Sequence, residues 1–435
     1  MNDVSKVTEV FRPSAPIDDP SMFIGRKTER SDLARALLAP GRHVVLFGER
    51  GVGKTSLLNV VAAELSGPIS QTVVWYTCSH SDTFIDIIRK YLDRTGQLSR
   101  TDLMKITAER ELSATLKIPV AEGGASSKRS EEHLRSFVVP NGITPDSIAT
   151  QYLGGPGILI VDEFDRISDH ATKVLIAETI KIQADRVALT KIVLCGVGIS
   201  ADDVIGGHPS TVRNLFTMRL GALNDEEIGD LVATGFKKLG LRYEPGVIEL
   251  IIRAAHGLPY FAHLLGEELA ILVTTTGARL IRTDDFFTVL GRALRNVSPA
   301  ITSGFERMFI PSSEDVVLRP ELLGQELPRG GPLVPASIRR AVVMALAVSA
   351  ESDLDRVSKV AISLMRSINE FVPSDYEKLS GSDAGLAVDD AEKLADFVCR
   401  RDDNVRFTDA FARGYTWLKA AQRYGRAALL DVAIP

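Results

Sequence analysis

The chain has 435 residues, 45% of them hydrophobic and 25% charged, a length that suits two to four domains at about 100–200 residues each. That balance excludes wholesale disorder, a collagen-like fibre and a disulfide-dense secreted module. Fifty-one basic against fifty-six acidic residues leave a net charge of −5, so the whole chain is not a polycation built for nucleic acid, although one face can still be basic. Three cysteines (Cys78, Cys195, Cys399) lie far apart without metal-ligand spacing and fit the reduced thiols of a cytoplasmic protein. No apolar run reaches the roughly 18 residues of a membrane span, and the opening MNDVSKVTEVFRP lacks the apolar stretch of a signal peptide.

Residues 1–20 are rich in Pro, Asp and Ser and predict an extended arm. Helical spacing follows from Lys27 to Leu38. Arg42–Phe47 (RHVVLF) predicts a buried strand running into a glycine loop, and Ser56–Leu65 predicts a helix. Val73–Tyr76 reads as a second strand and Thr83–Leu92 as a helix. Residues 97–150 mix polar runs with Gly123-Gly124-Ala125-Ser126-Ser127 and Pro140-Asn141-Gly142, which predicts an insertion. Gly157–Val161 and Lys191–Cys195 are two more buried strands. Apolar strands alternating with helices predict an α/β fold with a parallel sheet covered on both faces. From Asn224 the pattern turns helical, over Asp225–Leu239, Pro245–His256, Pro259–Thr274 and Thr283–Leu294, with Gly240 as a natural stop. Residues 296–337 carry several Pro and Gly and predict a connector. The last hundred residues begin with a helix near Ala336–Ala350. They end with strands at Phe397–Arg400 and Val405–Thr408 around Asp402-Asp403-Asn404.

The strongest chemical signal is Gly48-Glu49-Arg50-Gly51-Val52-Gly53-Lys54-Thr55, which fits the phosphate loop GxxxxGK[ST]. Glycines let successive backbone N–H groups turn inward toward phosphate oxygens. Lys54 adds a point charge on the outer phosphates, the Thr55 hydroxyl is a magnesium ligand, and the helix that continues through Ser56 presents its positive end to the same anion. These residues predict an ATP site with Mg²⁺. The second signal is Ile158-Leu159-Ile160-Val161-Asp162-Glu163, four apolar residues and then two carboxylates at a strand end. Asp162 is the expected magnesium residue and Glu163 the group that polarises the attacking water.

These motifs resemble those of AAA+-related P-loop ATPases of the origin-recognition (ORC-like) and STAND types, from about Phe23 to Leu294, with a weaker echo in the last hundred residues. Phe23-Ile24-Gly25-Arg26-Lys27-Thr28-Glu29 is similar to the segment that lies against adenine in that group, which implies nucleotide contacts for Gly25 and Arg26. Gly196-Val197-Gly198-Ile199-Ser200 falls where the group has its sensor-1 region, although the strand runs into Cys195-Gly196 and the polar residue is not obvious. His208-Pro209-Ser210-Thr211-Val212-Arg213 falls where an arginine finger is common. The resemblance thus implies that Arg213 acts on the γ-phosphate, in a homo-oligomer if it acts in trans, with Arg219 as a nearby rival. His256-Gly257-Leu258-Pro259 resembles the lid signature whose Pro259 packs near the base. No arginine follows it, and His263 is the nearest basic group. Lys54 and Asp162 are 108 positions apart, which leaves room for the insertion.

The resemblance divides the chain into an arm at 1–20, an α/β core at 21–220 with its insertion at about 97–150, a helical lid at 221–295, a connector at 296–337 and a winged-helix-like domain at 338–435. The last rests on Val405-Arg406-Phe407-Thr408-Asp409, a loose match to the tail of such domains. From Arg400 to Arg426 seven basic residues face three acidic ones, a charge suited to DNA phosphates. Two readings follow, beside a third in which the chain is a binding module whose nucleotide is structural and not turned over. One is a nucleotide-driven switch that reports to partner proteins in a multi-component bacterial system, a setting that in this group includes defence against mobile elements. The alternative is an ORC-like ATPase, a loader or transposition-type enzyme, that grips DNA through the C-terminal domain. Neither involves a membrane.

Overall fold

The computed structural model describes residues 2–69, 72–95, 144–197, 214–297, 299–308, 336–349, 353–367, 379–394, 398–401, 404–408 and 410–432. They form two compact units, Pro16–Gly221 and Met1–Ala15 joined with Ala222–Pro435.

The Pro16–Gly221 unit is built on five parallel strands: β1 (His43–Phe47), β2 (Thr72–Thr77), β3 (Gly157–Asp162), β4 (Thr190–Gly196) and β5 (Leu215–Arg219). Their spatial order is β2-β3-β4-β1-β5. The central strands β1, β3 and β4 are buried at every position, as uninterrupted apolar runs require when both faces are covered, whereas the edge strands β2 and β5 are only partly buried. The covering helices are α2 (Lys27–Leu38), α3 (Lys54–Ile69), α4 (Phe84–Arg94) and α5 (His170–Asp185). Phe84, Ile87, Ile88, Tyr91 and Leu92 recur at three- and four-residue spacing, which puts one face of α4 into a core with Ile176 and Ile180 of α5. Asp169 starts α5 by accepting from the backbone N–H of Ala171 and Thr172. At the opposite edge of the sheet from the glycine loop, His43 and Lys191 are buried. His43 Nδ1 accepts from the N–H of Ile192 at 3.0 Å, and Lys191 Nζ donates to the carbonyl of Ala39 at 2.6 Å.

Strand β5 carries no element in the sequence reading. Its Leu-Phe-Thr-Met-Arg is short and only partly apolar, as an edge strand can be. Of the expected insertion, residues 97–143 lie outside the described residues, and 145–152 form a short helical stretch that Thr144 caps by accepting from the N–H of Ser147.

In the second unit the sequence-read helices appear as α6 (Asp225–Lys238), α7 (Pro245–Ala255), α8 (Pro259–Thr275) and α9 (Thr283–Arg295). Asn224 and Glu227 cap α6 reciprocally, at 2.9 and 3.1 Å. Strands β6 (Arg242–Tyr243) and β7 (Leu280–Ile281) pair beside these helices. Next come α10 (Pro299–Arg307), α11 (Ala336–Val348), α12 (Leu354–Ser367), α13 (Gly381–Leu394), the antiparallel hairpin β8–β9 (Val398–Arg401 with Asn404–Phe407) and α14 (Ala410–Val432). Helix α14 packs on α9 and α11. Phe411 stacks near Tyr260 and Phe261, with ring centres 4.6 and 4.9 Å apart, and Gly414 leaves room for the Phe261 ring. The helices after Asn224 and the C-terminal bundle therefore share one core.

The expected extended arm is corrected at its start. Asn2–Val10 is a helix, α1, and it packs on α8. Val7 and Phe11, four apart, are each 1% exposed, so the segment has an apolar stripe that its Pro, Asp and Ser content conceals. The Phe11 ring lies over Gly235 and Gly266, where a Cβ at either position would approach it to 2.4 Å. The connector also holds a helix, α10, while 309–335 lie outside the described residues.

Candidate nucleotide site

The loop between β1 and α3 takes the backbone shape its glycines permit, with φ of +82° at Gly51 and +96° at Gly53. Gly48 serves closeness, since a Cβ there would lie 2.3 Å from the carbonyl oxygen of Leu220. Glu49 and Arg50 are exposed and Val52 is buried. The Lys54 ammonium donates to the carbonyls of Gly48 and Glu49, both at 2.9 Å, and so lies folded over the loop. Burial pulls its pKa down, while Cys195, Asp162, Asp165 and Glu163 act to hold the charge.

Strand β3 brings the carboxylates to the loop. Thr55 Oγ1 donates to Asp162 Oδ2 at 2.9 Å, and Asp162 Oδ1 accepts from the backbone N–H of Glu163 at 2.9 Å. Asp162 is 8% exposed. Thr55 and Asp162 form a pair of hard oxygen donors of the kind that suits Mg²⁺. Glu163 stands in the left-handed region with φ of +56°, which turns its side chain off the strand line, and it pairs with Arg166 at 3.1 Å. The side chains of Lys54, Thr55, Asp162 and Glu163 therefore meet at the C-terminal edge of the sheet, beside β1, where the strand order reverses. That is the usual ligand crevice of an open α/β sheet.

Two neighbours of the carboxylates, Cys195 and Asp165, were given no chemistry in the sequence reading. Cys195 lies next to Asp162 across the β3–β4 ladder; burial, and after it the nearby Asp162 carboxylate, hold its pKa well above the thiol range. Asp165 Oδ1 accepts from the N–H of Val197 at 2.7 Å and fills the space left by Gly196. The available signal was register: the last residues of neighbouring parallel strands share one edge. Cys78 follows β2 on the other flank, with its thiol pushed up to about 12 by burial, and its N–H donates to the Asp162 carbonyl. All three cysteines are free thiols.

Other expected site residues are placed differently. Arg26 is 3% exposed and its guanidinium is held by protein groups: Nη2 donates to the carbonyls of Val52 at 2.9 Å and Gly221 at 2.6 Å, and Nη1 pairs with Glu29 at 3.2 Å. Gly25 precedes it with φ of +79°. The Ser56 hydroxyl accepts from the N–H of Ile17 at 3.1 Å. Ser200 and Arg213 lie outside the described residues, and Arg219 is exposed at the end of β5. In the second unit Pro259 opens α8, after left-handed His256 and Gly257. His263 does not supply a positive charge: it accepts from the Arg12 N–H at 3.4 Å, and burial together with Arg12 lowers its pKa to about 4. Among the described residues no helix is long and apolar enough to cross a membrane.

Residues 22–190 match the family described as AAA ATPase domain, a segment that takes in the loop and both carboxylates and ends at the first residue of β4. No curated protein matches the chain. Among solved structures, the Walker-type ATPase of Pyrococcus abyssi is 16% identical over 93% of this chain and 98% of its own, with a TM-score of 0.47. RuvB of Thermotoga maritima, a Holliday junction branch migration motor, is 16% identical over 92% and 97%, with a TM-score of 0.40. Orc1 of Aeropyrum pernix, in complex with DNA, is 14% identical over 91% and 93%, with a TM-score of 0.41. The residues that match the AAA ATPase domain carry the glycine loop, its lysine and the carboxylate pair, and the strands that hold them belong to a five-stranded parallel sheet.

Proposed function

We propose that the protein hydrolyses ATP with Mg²⁺ and uses the cycle as a switch read by partner proteins. The observation that carries the reading is the 2.9 Å bond between Thr55 and Asp162, which brings two hard oxygen ligands together beside Lys54. In this reading the amides of residues 48–53 and the Lys54 ammonium hold the phosphates, Thr55 and Asp162 hold the metal, and Glu163 orients the attacking water. Bound Mg²⁺ would neutralise charge on the transferred phosphoryl group. Arg213 is assigned the γ-phosphate contact, and if it acts in trans the working form is an oligomer. Hydrolysis by wild type that does not change with protein concentration, together with an unchanged rate for Arg213→Ala, would remove that part.

The second unit is assigned the output, its lid helices at 221–295 and a winged-helix-like domain at 338–435 moving as one piece. Protein partners are favoured over duplex DNA because much of the basic tail is already engaged. Arg400 pairs with Asp389 at 2.9 Å, Arg413 donates to the Ser349 carbonyl at 3.0 Å, and Lys419 lies near Glu306 and over Phe305 and Tyr415. Exposed Arg406 on β9 and exposed Arg423 on α14 speak for DNA. The place in a multi-component bacterial system rests on the family resemblance.

The test is nucleotide binding and hydrolysis with magnesium present. Lys54→Ala is expected to abolish both, and Glu163→Gln to keep binding while hydrolysis falls by about 10²-fold or more. Wild type that takes up no adenine nucleotide refutes the proposal. DNA affinity that falls steeply with salt, with DNA-stimulated hydrolysis, would replace the protein-partner reading by the DNA one.

A further inference from the structure

The chain passes between its two units at Ala15–Pro16 and again at Gly221–Ala222. Within the Pro16–Gly221 unit, the residues beside both crossings are bonded to the helix that the phosphate loop opens or to the strand residue that leads into the loop. At the first crossing, Ile17 is 6% exposed and its N–H donates to the Ser56 hydroxyl, one residue past Thr55. At the second, the Leu220 N–H donates to the Phe47 carbonyl at 2.8 Å, and the Leu220 carbonyl lies so close to Gly48 that no side chain fits there. Arg26 then joins the far side of the loop to the same crossing. The two hydrogens of Nη2 reach the carbonyls of Val52, in the loop, and of Gly221, the last residue of the unit. Nη1 is held by Glu29, so the buried charge is neutralised and the planar group is fixed.

We propose that Arg26 is a positioning residue that ties the phosphate loop to the chain crossing at Gly221, so that nucleotide in the loop sets the geometry of the segment leading into α6. This rests on the ATP reading above. A loop that closes on phosphates moves the Val52 carbonyl, and a rigid guanidinium bonded to both carbonyls passes that displacement to Gly221. A lysine ammonium at this position cannot keep all three guanidinium contacts, because its one nitrogen lacks the planar two-ended fork. The role differs from contact with adenine, which the resemblance implied for this residue.

The experiment uses the full chain and follows amide hydrogen exchange at residues 220–224, with and without a non-hydrolysable ATP analogue and magnesium. Nucleotide affinity is measured in parallel. In wild type, nucleotide is expected to slow exchange there by about tenfold. Arg26→Lys is expected to bind nucleotide within about fivefold of wild type while losing that protection. Full protection in Arg26→Lys overturns the proposal. Affinity lowered by more than about 100-fold also overturns it, since the guanidinium would then be a nucleotide ligand. If Arg26→Lys does not fold, Glu29→Gln decides: it keeps the guanidinium but replaces the ion pair at Nη1 by a weaker neutral hydrogen bond, and the protection is expected to shrink by about twofold or more at unchanged affinity. An unaltered response in Glu29→Gln would then refute the coupling. Wild type that binds no nucleotide defeats the ATP reading itself; wild type that binds without protecting 220–224 defeats the coupling alone.

Discussion

Thr55 Oγ1 and Asp162 Oδ2 stand 2.9 Å apart although 107 positions of chain separate them. Parallel pairing of β1 and β3 around β4 brings their strand ends to one edge, and α3 starts there. Asp162→Asn keeps the size of the side chain and removes the charge. It is expected to fold, to lose magnesium-dependent hydrolysis by about 10²–10³-fold, and to shift the magnesium dependence of nucleotide binding upward. A phosphate-release assay against magnesium concentration checks this.

Glu163 is turned by its left-handed backbone toward Arg166. Both side chains are substantially exposed, so the pair is weak and easily exchanged for water. Arg166→Ala should therefore leave stability within about 0.5 kcal/mol and raise basal hydrolysis no more than about fivefold, by freeing the carboxylate. A fall in hydrolysis of tenfold or more would show that Arg166 itself serves the reaction.

Val187 follows α5 at φ of +54°, in a helix-ending turn where its N–H donates to the Ala184 carbonyl at 3.1 Å and the Ala188 N–H to the Gln183 carbonyl at 3.0 Å. A β-branched residue is strained there, and 56% of its surface is exposed, so little packing offsets the strain. Val187→Gly is expected to stabilise the protein by about 0.5–1 kcal/mol, allowing for the freedom glycine adds to the unfolded chain. The denaturation midpoint in urea should rise.

Phe11 fills the space over Gly235 and Gly266 and meets Phe236 edge-on at 5.4 Å. Phe11→Ala should destabilise the second unit by about 3–5 kcal/mol. Gly266→Ala should also destabilise it, by overpacking, with a smaller loss when combined with Phe11→Ala than alone. Thermal unfolding of the three variants tests that non-additivity.

Acid should weaken the fold through histidines buried without charge. Burial, with Lys191 nearby, lowers the pKa of His43 to about 3; burial and Arg413 lower His256 to about 3; burial and Arg12 lower His263 to about 4. Each pKa is below its unfolded value, so the unfolded chain binds the extra proton first. Stability is therefore complete above pH 6.5 and is lost as pH falls toward 4 to 3. Each histidine removes ~1.4 kcal/mol per pH unit in that window. Glu267, raised to about 6 by burial and Glu268, acts in the opposite sense, and one carboxylate does not offset three imidazoles. Urea titrations at pH 7.5 and 5.5 should show the drop, and His43→Gln should reduce it.

The sheet and the helices from Asp225 to Arg295 were legible because their apolar spacing is uninterrupted and their caps are explicit, as at Asn224 and Gly240. The loop and the carboxylate pair were legible because phosphate chemistry fixes both residue type and spacing. Strand β5 was not, since an edge strand needs to bury only one face, and α1 was hidden because its apolar stripe is two residues deep within a polar segment. Arg26 carried a motif but not its partners: a carbonyl at Val52 and another at Gly221 have no side-chain signature. Cys195 was passed over because a thiol seldom marks a site, and only strand register sets it beside Asp162.

The placement of Phe11 has a consequence for synthesis. Helix α1 is made before the Pro16–Gly221 unit, yet its seat on α8 is completed only when residue 275 has been made. The nucleotide domain lies whole between those two points, as an insertion within the other unit's chain. It can thus collapse on its own nascent segment while the amino-terminal helix waits with an aromatic ring uncovered. Closure across so long an interval is slow, and in that interval the waiting helix is open to capture by chaperones or by a second nascent chain.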